Sequence, residues 1–113
     1  MAIDRGEAVS PRRSAAMMKL LARTIPKRPD PKAPIDQVAG FLGEDLPHGA
    51  KLWSKAGWTS SVKHDAAIVR LPSGRRFILV VFTRGDAAVR SRRILPFIGR
   101  HVAAAIGSRN AQK

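Results

Sequence analysis

The first periodic pattern in the chain predicts a helix near its start. Ser10 followed by Pro11 is typical of a helix N-terminus, because a serine hydroxyl caps free amides and proline suits the first turn. Met17 and Leu20 then recur at helical spacing and would share one face. These signals predict a helix from Pro11 to about Arg23.

Residues 26–34 form a proline-rich, basic segment. Because proline lacks an amide donor, the segment excludes a helix or a central strand. We expect an extended surface connection, with a basic arm that binds nucleic acid as the less favoured alternative. After it, Asp36 is expected to open a short helix that contains Phe41 and Leu42 and ends before Pro47.

Three strands and a final helix are predicted in the rest of the chain. The strands are expected at 51–55, at 65–71 and at 76–83, with Pro72-Ser73-Gly74 as the tight turn between the last two. The six apolar residues at 77–82 predict a strand that is covered on both faces. Apolar residues at steps of three or four then predict a helix from Ile94 to Ile106.

This order of elements predicts an α+β fold, with one antiparallel sheet of three strands and packing helices. The length of 113 residues fits a single domain, or part of a larger one. The apolar run at 77–82 is far shorter than the roughly 20 residues of a membrane helix, so we expect no membrane span. Nothing near Met1 resembles an export signal, which predicts a cytoplasmic protein, or a periplasmic or extracellular one if a longer precursor is exported.

The chain carries a formal charge of +13, from 21 Lys and Arg against 8 Asp and Glu. Such a charge attracts nucleic acid whatever the fold, but the cations are spread along the chain, which favours a solvated basic surface. There is no cysteine, so thiol chemistry is excluded. The histidines, His48, His64 and His101, are far apart in sequence, and we expect neither a metal nor a cofactor.

The segment Lys55-Ala56-Gly57-Trp58-Thr59 is the main candidate for chemistry. It places a cation, a residue without a side chain and a hydroxyl at the end of a predicted strand. A strand edge of this composition can approach an anionic acyl substrate closely and hydrogen-bond it.

With the elements around it, this segment resembles the C-terminal part of the penicillin-recognising serine hydrolases, in particular class A β-lactamase-like proteins. That family has a helix, a Leu-Pro turn, a strand that ends in Lys-Thr-Gly or Lys-Ser-Gly, a hairpin and a packing helix. Here the corresponding segments are 10–21, 46–49, 51–57, 65–83 and 94–106. The resemblance covers nearly the whole chain, as a single partial domain over residues 1–113.

The resemblance implies roles for individual residues. Lys55 would stabilise a substrate carboxylate and assist proton transfer, and the main-chain amide of Trp58 would be an oxyanion donor. Gly57 would let the ligand lie beside the strand. Ala56 stands where the family has a hydroxyl, which Thr59 or Ser60 would partly replace.

The family also needs a Ser-x-x-Lys nucleophile turn at a helix start and a Ser-Asp-Asn loop, and both are absent from this sequence. The resemblance therefore implies a chain that is inactive alone and pairs with the missing N-terminal half or with another copy of itself. The implied substrate is a β-lactam or an acyl-peptide-like amide or ester. The strand at 76–83 would then leave an apolar edge exposed, and the isolated chain should have low stability.

Several residues near this segment match catalytic motifs in sequence but not in their predicted geometry. Ser60-Ser61-Val62-Lys63 matches Ser-x-x-Lys, but it falls between two predicted strands, where serine and lysine do not share a helix face. His64 and Asp65 would point to opposite faces of a strand, and Asp65 is predicted to hydrogen-bond at a sheet end. Lys63 and His64 are expected to be solvated, with binding of a carboxylate as the alternative. Trp53 and Trp58 are expected to be structural rather than a stacking platform for bases or aromatic acyl groups, and Trp58 is the better ligand candidate because it follows Gly57.

Overall fold

The computed structural model describes residues 1–28, 30, 32, 34 and 36–108. The elements are α1 (Pro11–Leu21), β1 (Ala22–Arg23), β2 (Lys51–Trp58), β3 (Val62–Arg70), β4 (Arg76–Arg84), α2 (Asp86–Arg90) and α3 (Ile94–Ser108). The strands form one antiparallel sheet in the order β1-β2-β3-β4. The predicted α+β class is confirmed, but the sheet described has four strands, not three.

The additional strand explains where α1 ends. The Ser10 hydroxyl accepts a hydrogen bond from the Arg13 amide at 3.2 Å, as expected of an N-cap. The helix stops at Leu21 because Ala22 and Arg23 become extended and pair with β2. Leu20 is 79% exposed, so the expected apolar face is wrong at that position.

Residues 36–46 form a series of turns, and the predicted short helix is wrong. Asp36 Oδ1 accepts hydrogen bonds from the amides of Val38 and Ala39 at 2.6 and 2.7 Å, as it would in a helix cap. Gly40 then adopts a positive φ of 80°, which interrupts helical geometry. Phe41 and Leu42 follow and are almost fully buried. The segment therefore fills the core without being regular.

The described residues of the proline-rich segment, Pro26, Lys27, Arg28, Asp30, Lys32 and Pro34, lie in neither helix nor strand. This agrees with the predicted connection, and Pro29 and Pro31 lie outside the described residues.

The central hairpin is longer than predicted. β2 continues through Trp58, and β3 begins at Val62, so the Lys55-to-Trp58 segment lies within a paired strand. Gly57 pairs with His64, and Ala56 pairs with Asp65. The turn between β3 and β4 matches its prediction: Gly74 has a φ of 88°, and its amide bonds to the Leu71 carbonyl at 2.8 Å.

The alternation of side chains gives the sheet two unlike faces. The inner face carries Leu52, Ser54 and Ala56 of β2, Lys63, Asp65, Ala67 and Val69 of β3, and Phe77, Leu79 and Val81 of β4. It packs with the 38–46 turns and with α3, whose Leu95 and Ala103 are buried. The contact with α3 is close: a Cβ on Gly99 would lie 2.0 Å from the Leu42 carbonyl oxygen.

The outer face carries Trp53, Lys55 and Gly57 of β2, His64, Ala66 and Ile68 of β3, and Ile78, Val80 and Phe82 of β4. On β4 these side chains are 45%, 48% and 76% exposed, and β4 is an edge of the described sheet. The prediction of a strand covered on both faces is therefore wrong. At the other end of this face, Arg76 Nη1 lies 3.8 Å from Asp4 Oδ2, so the first residues cover part of it.

The final segment contains α2, which the sequence did not predict, and α3, which extends two residues beyond Ile106. None of the helices in the described part of the chain has both the length and the apolar character needed to cross a membrane.

Candidate active-site strand

The candidate site lies on the edge of β2 that faces away from β3. β1 pairs with β2 only at Leu52 and Trp53, so beyond Trp53 no described strand continues along this edge. Arg23 donates to the Ser54 carbonyl, and Gln37 accepts from the Ala56 amide, so the main-chain groups of these even-numbered residues point outward. We refer to this stretch, residues 54–58, as the open edge.

Side chains from separate parts of the chain meet over the open edge. Gln37 Oε1 accepts hydrogen bonds from the Ala56 amide and from Arg23 Nη2, both at 3.0 Å, and lies 3.4 Å from Lys55 Nζ. Lys55 Nζ also donates to the Ala56 carbonyl. No carboxylate lies within ion-pair distance of Lys55 or Arg23 in the described part of the chain. Two cations therefore share a neutral acceptor.

The Trp58 amide lies at the end of the open edge. The Thr59 amide bonds back to the Val62 carbonyl at 2.9 Å, so odd-numbered residues point toward β3. Alternation then directs the Trp58 amide and carbonyl outward, like those of Ser54 and Ala56. The Trp58 ring is half exposed, with its centroid 5.4 Å from that of Phe41.

Gly57 leaves space on the outer face beside His64. A Cβ built on it would meet no atom within 4 Å, and its φ is not positive. Neither the backbone conformation nor packing within the described chain requires glycine at this position. The space above it is therefore available to something outside this chain.

Ala56 and Thr59 contribute to the site in different ways. The Ala56 side chain is buried on the inner face, so only its main-chain groups reach the open edge. The Thr59 hydroxyl accepts from the amides of Ser61 and Val62 at 3.2 and 3.3 Å, which stabilises the hairpin turn. The same turn holds Ser60, so Ser60 and Lys63 do not share a helix face.

Lys63 is buried, contrary to the expected solvated position. Its Nζ donates to the Ser91 carbonyl at 2.9 Å and lies 4.7 Å from the centre of the Phe41 ring. Burial lowers the pKa of Lys63, and the nearby charge of Arg92 lowers it further. Lys63 therefore joins β3 to the α2–α3 junction, on the face away from Gly57.

Asp65 is also buried, inside β3 rather than at a sheet end. Its Oδ2 accepts from the Leu42 amide at 3.0 Å, while Oδ1 has no hydrogen-bond partner among the described residues. Burial raises the pKa of Asp65, and hydrogen bonds from the Leu42 and Ala66 amides oppose that effect. The carboxylate thus anchors the 36–46 turns beneath Ala56.

His64 points to the opposite face from Asp65, as predicted, so the two do not form a dyad. Its Nδ1 accepts from the Thr83 amide at 3.1 Å, and its ring packs edge-on against Phe82. Nδ1 as an acceptor leaves the proton of the neutral ring on Nε2. Elsewhere in the described residues, no three His, Asp or Glu side chains are grouped to hold a metal ion.

Comparison with known proteins identifies the family. A family model described as the beta-lactamase enzyme family matches residues 1–106. The chain belongs to this family. No curated protein matches the chain at a significant level.

Solved structures with the same fold include PBP-A, both free and as an acyl-enzyme complex of a mutant with penicillin G. These share 24% identity with the chain, with TM-scores of 0.71 and 0.73, and match 95% of it. A beta-lactamase from Sphaerobacter thermophilus shares 22% identity over 94% of the chain, with a TM-score of 0.68. In each case the chain spans only 36% of the length of the other protein.

Arg23 and Gln37 were not among the predicted site residues. They lie 31 and 19 residues before their partners Ser54 and Ala56, on the two sides of the proline-rich segment. No periodic pattern or motif marks either residue, so nothing in the sequence could have placed them beside Lys55.

Proposed function

We propose that the chain supplies one part of a β-lactamase-like serine hydrolase site and is inactive without a complementary part. Lys55 and the Trp58 amide would bind the acyl ligand, and the complement would carry the nucleophile. The observation that carries this proposal is the open edge, where a lysine with no carboxylate within ion-pair distance among the described residues lies near an outward-directed main-chain amide.

The chemistry of the edge suits acyl transfer. An amide donor aimed at a developing oxyanion contributes roughly 2.7 to 4 kcal/mol to transition-state stabilisation. Lys55 would attract the anionic group of the ligand, and the space above Gly57 would let the ligand approach the strand. Thr59 is a weaker candidate for ligand binding, because its hydroxyl already serves the turn.

The exposed part of the outer face supports the need for a complement. Ile78, Val80 and Phe82 form an apolar strip on an edge strand, a surface that folded proteins usually cover. The chain also spans only 36% of the solved structures it resembles. We propose that the complement is the N-terminal part of the domain and bears Ser-x-x-Lys and Ser-Asp-Asn, with a second copy of this chain as the alternative occupant.

The proposed substrate is a β-lactam or a related amide or ester. A mutant of PBP-A, which has the same fold, forms an acyl-enzyme complex with penicillin G. Ala56 would contribute only its main-chain groups to ligand binding, because its side chain is buried on the inner face.

The test is acyl-enzyme formation in a mixture. The chain is combined with the N-terminal segment of PBP-A, and covalent labelling by fluorescent penicillin is followed by mass spectrometry. We expect labelling of the N-terminal segment only when both parts are present. A covalent adduct on this chain alone would contradict the proposed division of labour, as would a stable complex of the two parts that is never labelled.

Lys51 provides a matched control for Lys55, because both are exposed lysines on β2 and only Lys55 lies on the open edge. Lys55→Ala should slow labelling roughly 100-fold or more, as expected for the loss of a charged group that acts in the transition state. Lys51→Ala should label at the rate of the unmodified chain. Equal rates for the two variants would remove Lys55 from the site.

Nucleic-acid binding is the second candidate, and the charge of +13 favours it. The tryptophans give it little support, since Trp58 packs on Phe41 and Trp53 is half buried. Electrostatic binding would weaken steeply with salt. Retention of the chain on RNA or DNA at low salt with such a dependence would support this function, and lack of retention would exclude it.

A further inference from the structure

Gln37 occupies a position on the open edge that no motif explains. Its side-chain oxygen lies within hydrogen-bonding distance of three donors: the Ala56 amide, Arg23 Nη2 and Lys55 Nζ. One amide oxygen thus contacts the backbone of the candidate strand, its cation, and a second cation from β1.

We propose that Gln37 is the positioning residue of this edge, holding Lys55 in place and covering the Ala56 amide so that the Trp58 amide is the first one free for a ligand. The proposal deepens the function proposed above and rests on it for the role of Lys55. Gln37 itself does not touch the reacting atoms.

The hydrogen bonds that hold the turns around Gln37 support this role. Gln37 directly follows Asp36, whose carboxylate accepts hydrogen bonds from the amides of Val38 and Ala39. The same turns are held below by the bond from the Leu42 amide to Asp65, the cross-strand partner of Ala56. The 36–46 segment is therefore ordered at its start by the Asp36 cap and joined near its middle to the hairpin that carries Lys55, which limits the movement of the Gln37 side chain.

The hydrogen bonds along the open edge determine which main-chain groups a ligand can reach. The Ser54 carbonyl accepts from Arg23 Nε and Nη2 at 3.2 and 2.9 Å, and the Ala56 amide and carbonyl are taken by Gln37 and Lys55. In the described part of the chain, no side chain is bonded to the outward groups of Trp58. A ligand carbonyl therefore meets the Trp58 amide first, and an extended peptide cannot pair further back without displacing Gln37 and Arg23. This favours a short acyl ligand.

The neutrality of Gln37 also matters. A carboxylate at this place would form ion pairs with Arg23 and Lys55 and would compete with an anionic ligand for both. The amide orients the two cations without forming an ion pair with either, and the Asp65 carboxylate, which interacts with them electrostatically, is buried on the inner face. Gln37 therefore combines positioning with an electrostatic preference for anions.

The first experiment examines the unmodified chain by NMR. Scalar coupling across the hydrogen bond, between the Ala56 amide nitrogen and the Gln37 side-chain carbonyl carbon, is expected. Its absence, with couplings visible across the β2–β3 ladder, would overturn the proposal whatever the behaviour of any variant.

The second experiment compares Gln37→Met, which keeps the length but loses the acceptor, with Gln37→Glu, which keeps an oxygen. In Gln37→Met, hydrogen exchange at Ala56 should accelerate roughly tenfold, as for the loss of one hydrogen bond. Exchange at Gly57, whose amide faces β3, should not change, and the Lys55 side chain should become more mobile while Lys51 does not. Gln37→Glu should restore slow exchange at Ala56.

Equal acceleration at Ala56 and Gly57, or none at Ala56, would contradict the positioning role. These measurements need no acylation, so their failure is distinct from that of the proposed function. Loss of penicillin labelling with an intact Gln37–Ala56 bond would reject only the function. Rapid exchange at Ala56 in a chain whose complemented form is still labelled would reject only the positioning role.

Discussion

The two faces of the sheet are built in different ways, although the same strands form both. The inner face carries alternate residues of β2, β3 and β4 against α3 and the 36–46 turns, and even its charged residues, Lys63 and Asp65, are buried. The outer face carries the intervening residues, and on β4 those are apolar and exposed. The six apolar residues of β4 thus pack against the core on one face of the sheet and are exposed on the other.

The difference teaches that this chain divides its tasks by face. The inner face provides the packing of the hairpin, and under the proposed function the outer face and the open edge would present groups to the complement and the ligand. Substitutions on the inner face should therefore change stability, and those on the outer face should change association or activity instead.

The largest expected loss of stability is at Gly99, where α3 approaches the 36–46 turns. Gly99→Ala would bring a Cβ within 2.0 Å of the Leu42 carbonyl oxygen, so α3 must move away from the backbone. We expect a loss of about 3 kcal/mol in the free energy of unfolding, toward the upper end for overpacked sites. Urea denaturation measures it.

Gly107→Ala is the matched control for Gly99→Ala in the same helix. A Cβ on Gly107 would make only an ordinary contact, 4.0 Å from Leu71 Cδ1. The variant should be neutral or stabilised by up to about 1 kcal/mol, through the better helix propensity of alanine. A similar loss in both variants would mean that α3 is not tightly packed at Gly99.

A smaller loss is expected when the Asp65 carboxylate is removed. Asp65→Ala leaves the buried Leu42 amide without its acceptor, which should cost about 1–3 kcal/mol. Asp65→Asn keeps an acceptor oxygen and should cost less. Thermal unfolding of the two variants would separate them, and equal stability of Asp65→Ala and the unmodified chain would show that the inner face does not depend on this bond.

The same residue should give the inner face a pH dependence. Because burial raises the pKa of Asp65, the folded state binds its proton more tightly than the unfolded state does. The contribution of Asp65 to stability is therefore fully present below about pH 4, the usual value for aspartate, and is lost as the pH rises through the raised pKa. Asp65→Asn should abolish this part of the pH profile, and an unchanged profile would assign the dependence to other groups.

The smallest effect on stability is expected on the outer face. Phe82→Ser removes a side chain that is 76% exposed and contacts the His64 ring, and should change the free energy of unfolding by no more than about 1 kcal/mol. It should nevertheless reduce binding of a hydrophobic dye and weaken assembly with the complement. A marked loss of stability would indicate that this part of the outer face is already packed in the isolated chain.

Local signals predicted the parts of the fold that depend on local chemistry. The Ser10 cap, the Gly74 turn and the period of α3 are each set by residues close in sequence, and the structure confirms them. The prediction that β4 is covered on both faces was wrong because a run of six apolar residues does not distinguish a central strand from an edge strand. β1 has only two residues, and it is a strand only because these residues pair with the edge of β2, so no local pattern predicts it.

The candidate site divides in the same way. The Lys55-to-Thr59 segment is readable because its residues are adjacent, and its role as a site remains a prediction. Gln37 and Arg23 reach it only through tertiary structure. The buried Lys63 and Asp65 were expected near water because charged residues usually are, and here hydrogen bonds to Ser91 and Leu42 offset part of the cost of burial.

Under the proposed function, the exposed strip on β4 would also link the amount of this chain to the amount of its complement. A partner that binds only the folded chain stabilises it by mass action, by about 2.7 kcal/mol at a concentration one hundred times its dissociation constant. Without the partner, more of the chain is unfolded at any moment and open to proteolysis. The residues Ile78, Val80 and Phe82 would thus make the lifetime of the chain in a cell depend on how much complement is present.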